Sequence, residues 1–262
     1  MDRPLYNQLA TYYEQIEGRD WKSEIDLIAS ILRRHKSRDI VDLGCGTGYH
    51  ARALTILRFN TTGIDISKHN ILLARRKAKE ARITSRFIVG NYYTYRPSQK
   101  FDAALCLNWS IPVRNDEIQR FLNNTNALLQ PEGLLIFDFE RVSQIVWSDV
   151  GKPIVDSWDQ KKQMIVRVSV GRIASSVLYS NDIYLIYPKP LERTGPPNEK
   201  LRYKAAQEAK QVQVFSDRSC VRFFSIPEIR HLARPAGFRM IGSFLLPRNK
   251  YRRNYVVLQK NE

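Results

Sequence analysis

The run Val41-Asp42-Leu43-Gly44-Cys45-Gly46-Thr47-Gly48 constrains this chain more than any other stretch. Asp39-Ile40-Val41-Asp42 reads as a buried strand that stops in a turn with glycine at every second position. Glycine has no Cβ and takes φ > 0 freely, so a ligand can lie directly on the backbone there. From Tyr49 onward the chain reads as helix. A strand, a glycine-rich turn and a helix, in that order, open a doubly wound α/β sheet that binds a nucleotide-like ligand. An ordinary tight turn is the alternative.

A second landmark decides between them. Thr61-Thr62-Gly63-Ile64-Asp65-Ile66-Ser67 reads as a second strand ending in an acid, with Asp65 17 residues after Gly48. In a doubly wound sheet that carboxylate stands beside the first turn, where it can accept from a ribose diol. Dinucleotide sites share that acid, so the turn chemistry must discriminate. The spacing here is G-x-G-x-G, and acidic Asp42 sits two residues before Gly44. A pyrophosphate favours a helix N-terminus free of nearby anions. Asp42 would repel it, and suits a ligand that carries an ammonium group.

The rest of the chain supplies the α/β alternation. Strands are expected at 38–43, 60–65, Arg86–Val89, Phe101–Leu107 and Leu134–Phe139. Between them come helices at about 48–57, from a Ser67 cap to Ala81, and from an Asn115 cap to Leu129. Residues 1–37 read as a helical N-terminal lid, with Ile25, Ile28, Ile31 and Leu32 on one face. Residues 140–222 lose the helical period. Gln163–Val170, Ser175–Tyr187 and Gln211–Phe215 alternate as antiparallel strands, and polar Glu192–Ala209 reads as a loop or short helix. The core, 38–139, resumes at 223–262 with the capping-box pattern Ser225-Ile226-Pro227-Glu228 and a final hairpin, Phe238–Leu246 with Tyr255–Gln259.

Composition narrows the class. The chain has 262 residues, 43% of them apolar, which suits one large domain with an insertion. No apolar run approaches the ~20 residues that span a bilayer, so no membrane partner is expected. Met1-Asp2-Arg3-Pro4 lacks the layout of a secretory signal. Cys45, Cys106 and Cys220 are scattered, with neither a disulfide framework nor a zinc spacing. A cytoplasmic protein without a metal is expected. The net charge of +16 raises the prospect of RNA or another anionic partner.

Taken together, Asp42-Leu43-Gly44-Cys45-Gly46-Thr47-Gly48, Gly63-Ile64-Asp65-Ile66-Ser67, Gly90-Asn91, Phe101-Asp102, Leu129-Gln130-Pro131-Glu132-Gly133 and Ala236-Gly237-Phe238 resemble the class I S-adenosylmethionine-dependent methyltransferases. The resemblance implies a mostly parallel, seven-stranded Rossmann-like sheet with an antiparallel β insertion after strand five. It implies S-adenosylmethionine as cofactor and S-adenosylhomocysteine as product. Near the N-terminus, Tyr12-Tyr13-Glu14-Gln15-Ile16, Arg19-Asp20-Trp21 and Glu24 resemble the opening of small-molecule N-methyltransferases, the amino-sugar enzymes above all. That likeness implies an N-terminal segment closing over the cofactor and an insertion that forms an acceptor pocket or a dimer contact.

Cofactor roles follow position by position. Gly44, Cys45, Gly46 and Gly48 form the turn, with a small residue required at Cys45. Asp42 orients the turn and favours the methionine ammonium. Asp65 and Ile66 border the ribose. Asn91 and Tyr92 end strand three near the adenine, Asn91 standing where the family usually has an acid and accepting through its amide oxygen. Leu107 ends strand four at the methyl-donor end. Tyr13 and Trp21 either face the sulfonium, since aromatic faces attract such cations, or pack the N-terminal helix. Asn108 is either a site residue or a strand-ending turn residue.

The catalytic group is unknown, with Tyr13, Asn108 and Trp109 as candidates. Methyl transfer is an in-line displacement that mainly requires positioning, and a free amine acceptor needs no base. Trp109, Ser110, Tyr184 and Tyr187 are candidates for the acceptor pocket; His231 reads as structural or exposed. The expected reaction is methylation of a small molecule at nitrogen. An RNA methyltransferase and a non-catalytic cofactor-binding scaffold are the alternatives, and a monomer or a homodimer fits equally.

Overall fold

The computed structural model describes residues 9–10, 12, 21–108, 110–159, 163–188, 212–246 and 253–262. Tyr13, Trp109 and the expected loop Glu192–Ala209 lie outside these described residues. Helix α1 (Trp21–Arg34) buries Ile25, Ile28, Ala29, Ile31 and Leu32, a single helical stripe. Then come β1 (Asp39–Leu43), α2 (Tyr49–Ile56), β2 (Asn60–Asp65), α3 (Lys68–Glu80), β3 (Arg86–Val89), β4 (Phe101–Cys106), α4 (Asn115–Leu128) and β5 (Leu129–Arg141). Four strands follow: β6 (Pro153–Asp159), β7 (Gln163–Ala174), β8 (Val177–Pro188) and β9 (Gln213–Phe224). Helix α5 (Ile226–Ala233) and the hairpin β10 (Phe238–Leu246) and β11 (Arg253–Lys260) close the chain.

Strands β3-β2-β1-β4-β5 are parallel neighbours in that order, and β11 then β10 extend the sheet antiparallel from β5. This is the expected seven-stranded core. Alternate side chains of the strands feed two hydrophobic layers. Val41, Leu43, Ala104, Cys106 and Phe137 meet α4 and α5 through Phe121, Leu122 and Ile229. Ile40, Ala103, Leu105 and Ile136 meet α1 and α2 through Ile28, Leu32 and Leu54. Burial on both faces explains why these strands read as continuous apolar runs.

The remaining strands form an antiparallel sheet in the order β6-β7-β8-β9. It joins the core through two parallel pairs, Glu140 with Phe223 and Arg141 with Phe224. Here the expectations need correction. β6 went unread, because Pro153 and the exposed Ile154 and Val155 break the apolar alternation. β9 runs to Phe224 rather than ending at Phe215, as its polar stretch Ser216-Asp217-Arg218-Ser219 still alternates in burial. Asn115 is the first residue of α4, not its cap: Arg114 holds the cap position, and Asn115 Oδ1 accepts from Arg222 at 2.7 Å. The capping box does form: Ser225 Oγ accepts from Glu228 N at 3.3 Å, and Glu228 Oε2 accepts from Ser225 N at 3.4 Å. Among the described residues no helix is long and apolar enough to cross a membrane.

Candidate active site

The sheet order reverses between β1 and β4, so the loops leaving those two strands diverge and open a crevice at their carboxyl ends. A cavity of about 290 Å³ occupies it. Its lining includes Asp42, Gly44, Cys45 and Gly46 from the first strand and turn, Asp65 and Ile66 after β2, Asn91 and Tyr92 after β3, and Leu107 and Asn108 after β4. Trp21 of α1 closes one side. Of the cofactor-binding residues assigned from sequence and described here, Gly48 alone lies outside the lining.

The three glycines do different work. Gly46 sits at φ 53° with nothing within 4 Å of where a Cβ would stand, so the open space above it is free for a ligand. Gly44, at φ 75°, would drive a Cβ to 2.8 Å from Ser110 Oγ. That hydroxyl lies 2.7 Å from the Leu107 carbonyl and 3.4 Å from the Gly44 carbonyl, and the second contact ties the β4 loop to the turn. Gly48, at φ 77°, would put a Cβ 2.5 Å from the Phe87 ring. Its role is therefore to seat the turn against β3, not to admit a ligand. Cys45 fits its small slot, its sulfur facing Gly63, and burial pushes its thiol up.

Asp42 is the unusual charge. It is 3% exposed and lies within an apolar strand. The Ala51 N–H bonds the carboxylate, while Oδ2 has no hydrogen-bond partner. Burial, with Asp65 and Glu24 adding to it and His50 opposing, pushes the carboxyl up to about 6. Asn108 presents a second buried oxygen, Oδ1, without a partner. Its backbone sits at φ 63°, a strained conformation for asparagine that recurs at functional sites. Both residues line the cavity, and each has a buried oxygen that lacks a donor.

Asp65 is occupied differently from expectation. Its Oδ2 accepts from Gly46 N at 2.8 Å, its Oδ1 accepts from Ser67 N at 2.8 Å, and the Asn70 side chain donates to it as well. A carboxylate offers about four acceptor sites, so three are engaged within the protein. Asp65 clamps the glycine turn to the head of α3. Burial raises its carboxyl despite these three donors. Asn91 Oδ1 accepts from Tyr93 N at 2.9 Å, which leaves the amide nitrogen rather than the oxygen as its readier group for a ligand.

The structure adds residues that the sequence reading passed over: Ala10, Thr47, Tyr49, His50, Asn70, Gly90 and Tyr93 also line the cavity. The Trp21 ring packs on Tyr49 at 4.3 Å and on His50 at 5.5 Å. His50 Nε2 lies 3.5 Å from the fully buried Glu24, which pins α1 to α2. Asn70 had a signal, since Ser67-x-x-Asn70 immediately after Asp65 is a helix start whose third residue must face back toward the turn. Tyr184 and Tyr187 do not line the cavity. They stand on opposite faces of β8, and Tyr184 packs with Leu9, Ile165 and Ile186. Leu9 enters that cluster while its neighbour Ala10 lines the cavity, so the N-terminal segment bridges the two sheets. His231 is exposed on α5.

Comparison with known proteins matches this geometry. Residues 40–133 match the sequence family described as a methyltransferase domain. A ubiquinone biosynthesis O-methyltransferase of Rickettsia akari (strain Hartford) is 30% identical over 113 residues, 43% of this chain and 44% of its own. The dTDP-3-amino-3,6-dideoxy-alpha-D-glucopyranose N,N-dimethyltransferase of Streptomyces fradiae is 25% identical over 138 residues, covering 50% and 52%. The chain thus spans about half the length of these relatives. An S-adenosylmethionine-dependent methyltransferase structure from Clostridium acetobutylicum ATCC 824 superposes with a TM-score of 0.76 at 15% identity, covering 98% of this chain and 99% of that one. The amino pentose methyltransferase CalS10 of Micromonospora echinaspora, solved with the cofactor bound, gives 0.73 at 19% identity and 98% of both chains. The chain has the fold of these S-adenosylmethionine-dependent methyltransferase structures, and the match to the methyltransferase-domain family falls on its glycine turn and the first four strands.

Proposed function

We propose that this methyltransferase moves the methyl group of S-adenosylmethionine to a nitrogen of a small-molecule acceptor, an amino sugar or a similar amine. The observation that carries the cofactor assignment is the buried Asp42 carboxylate, whose Oδ2 lacks a partner beside the open turn at Gly46. The residues present fit the group. Asp42 Oδ2 and Asn108 Oδ1 accept from the methionine ammonium, and Gly46 lets the ligand approach the backbone. Asp65 has about one acceptor site left for a ribose hydroxyl, while Ile66 and the Asn91 amide border the base. When bound, S-adenosylmethionine supplies a methyl activated by a sulfonium.

What the protein contributes is placement. Trp21 and Tyr49 present aromatic faces, which favour a cation nearby. Holding donor and acceptor in line supplies most of the rate when no proton must move first. Nitrogen is favoured over oxygen on the same ground. A hydroxyl acceptor needs a base, and His50, the described histidine of the cavity, faces Glu24. The names of the Streptomyces fradiae relative and of CalS10, both acting on amino sugars, support the same choice.

The four-stranded insertion and the segment at Leu9 and Ala10 are proposed to shape the acceptor side, with Tyr13 and Trp109 as further contributors. Incubation with S-adenosylmethionine and a panel of amino sugars, amines and phenols tests the proposal by product mass. Methylated amine with unreacted phenol is expected. Methylation confined to phenols would overturn the nitrogen assignment.

A further inference from the structure

Three helices on one edge of the parallel sheet end in the same way. After α1, Lys36 N donates to Arg33 O at 3.1 Å and Ser37 N to Leu32 O at 2.9 Å. After α2, Arg58 N donates to Thr55 O at 3.0 Å and Phe59 N to Leu54 O at 3.1 Å. After α3, Arg82 N donates to Lys79 O at 3.1 Å and Ile83 N to Ala78 O at 2.8 Å. Each pair of bonds is a Schellman motif, and its left-handed residue is usually glycine. Here that residue is Lys36 at φ 55°, Arg58 at φ 73° and Arg82 at φ 55°. A left-handed backbone disfavours any side chain with a Cβ, yet a basic one stands there three times.

These ends precede β1, β2 and β3, so they share the amino edge of the sheet, opposite the cavity. Arg38, Arg86 and Lys100 enter or precede β1, β3 and β4 on the same edge, and all six side chains are exposed. Attraction between a cation and a helix carboxyl end explains a basic residue in the first three places. It does not explain the other three, which belong to no helix. Among the described residues none of the six is in an ion pair. The local acids are taken up otherwise: Asp102 Oδ2 accepts from Arg38 N at 2.7 Å and Asp39 N at 3.0 Å, and Asp39 accepts from Asn60 at 3.0 Å.

We propose that this basic edge docks the phosphate backbone of a nucleic acid, at a site separate from methyl transfer. Strands β3, β2, β1 and β4 are adjacent, and at about 4.8 Å per neighbour the row is about 14 Å long. A duplex strand places a phosphate every 3.4 Å or so of its axis, so the row faces about four phosphates. Four of the six residues are arginine, whose planar fork pairs with phosphate oxygens. A narrow row suits a linear polyanion better than a lipid plane, and the exposed large apolar residue nearest in sequence to Arg58 is Ile56 on α2. The strands between this edge and the cavity are four to six residues long, about 13–20 Å. A nucleic acid held here is therefore a docking partner rather than the methyl acceptor.

The test uses the full chain and a fluorescein-labelled, mixed-sequence 20-base-pair RNA duplex, titrated at several salt concentrations. Wild type is expected to bind with a log–log salt slope of about 3–4 in magnitude. Lys36→Gly/Arg58→Gly/Arg82→Gly relieves the left-handed backbone while removing three charges. It is expected to melt higher than wild type, to bind RNA at least tenfold more weakly, and to lose about half of the slope, because three of the six basic residues remain. S-adenosylmethionine affinity should stay the same. The control Arg172→Gly/Arg218→Gly/Arg230→Gly removes three exposed charges elsewhere and should keep most of the binding. RNA binding that is absent in wild type, unchanged in the first triple, or equally lost in the control overturns the proposal. Tighter binding to phosphatidylserine vesicles than to RNA overturns it in favour of a membrane partner.

Discussion

Asp42 and Asp138 are both almost wholly buried carboxylates on one sheet, two strands apart, and they are treated in opposite ways. Asp138, on β5, is bonded by the Arg253 guanidinium across the β5–β11 seam, both side chains lying at or below 5% exposure. Asp42, at the end of β1, leaves one oxygen without a protein donor. The contrast separates structure from function. A buried charge that serves the fold has its counter-charge within the chain; under the proposed function, Asp42 is left for the ligand to complete.

The largest expected effect comes from breaking the first arrangement. Arg253→Met should remove the guanidinium that bonds buried Asp138 and destabilise the fold by about 3–5 kcal/mol, read from urea unfolding. Within the glycine turn, Gly48→Ala should cost about 2–3 kcal/mol, because its Cβ meets the Phe87 ring and its backbone is left-handed. Gly46→Ala should cost only about 1 kcal/mol in stability. It should nevertheless weaken the cofactor more than Gly48→Ala does, as its Cβ enters ligand space. Equal affinity losses would erase the distinction between the two glycines.

Asp42→Asn should do the reverse of Arg253→Met. The Asp42 carboxyl is raised from 3.8 to about 6 in the fold, so the folded protein holds the proton more tightly than the unfolded chain. Its contribution to stability is present below pH 3.8 and is lost as pH rises through about 6. Asparagine avoids that loss, and ligand-free Asp42→Asn should be more stable than wild type by about 1–3 kcal/mol at pH 7. The gain should vanish near pH 4. Cofactor affinity of the wild type should fall by about tenfold per unit as pH drops below 6, and be flat in Asp42→Asn. A stability gain that persists at pH 4 would mean the burial of charge is not its cause.

The parallel half of the molecule was legible in the sequence because local and global signals agree there. Strands buried on both faces read as apolar runs, the Ser225 capping box announces α5, and Gly46 and Asp65, bonded to each other in the fold, keep the spacing of a glycine turn followed by a strand-ending acid. The insertion was less legible. β6 and β9 carry polar and apolar residues whose burial depends on a partner sheet and on Leu9, far away in sequence. For the cavity, the sequence reading named many of the lining residues but not their bonds. That Asp65 is held by Gly46, Ser67 and Asn70, and that the Asn91 side-chain oxygen accepts from Tyr93 N, depends on turn geometry with no one-residue signature. His50 was missed because a histidine beside a glycine turn has no meaning until Glu24 is placed against it.

The most direct test of the central claim compares two ligands by titration calorimetry at pH 7.5. S-adenosylhomocysteine carries the ammonium, and 5′-methylthioadenosine keeps the nucleoside without it. If Asp42 is the ammonium's counter-charge, Asp42→Asn should weaken S-adenosylhomocysteine by tenfold or more, consistent with about 1.5–3 kcal/mol for a charge-assisted bond. Methylthioadenosine should bind wild type and variant alike. Equal loss for both ligands, or loss for neither, would contradict the account.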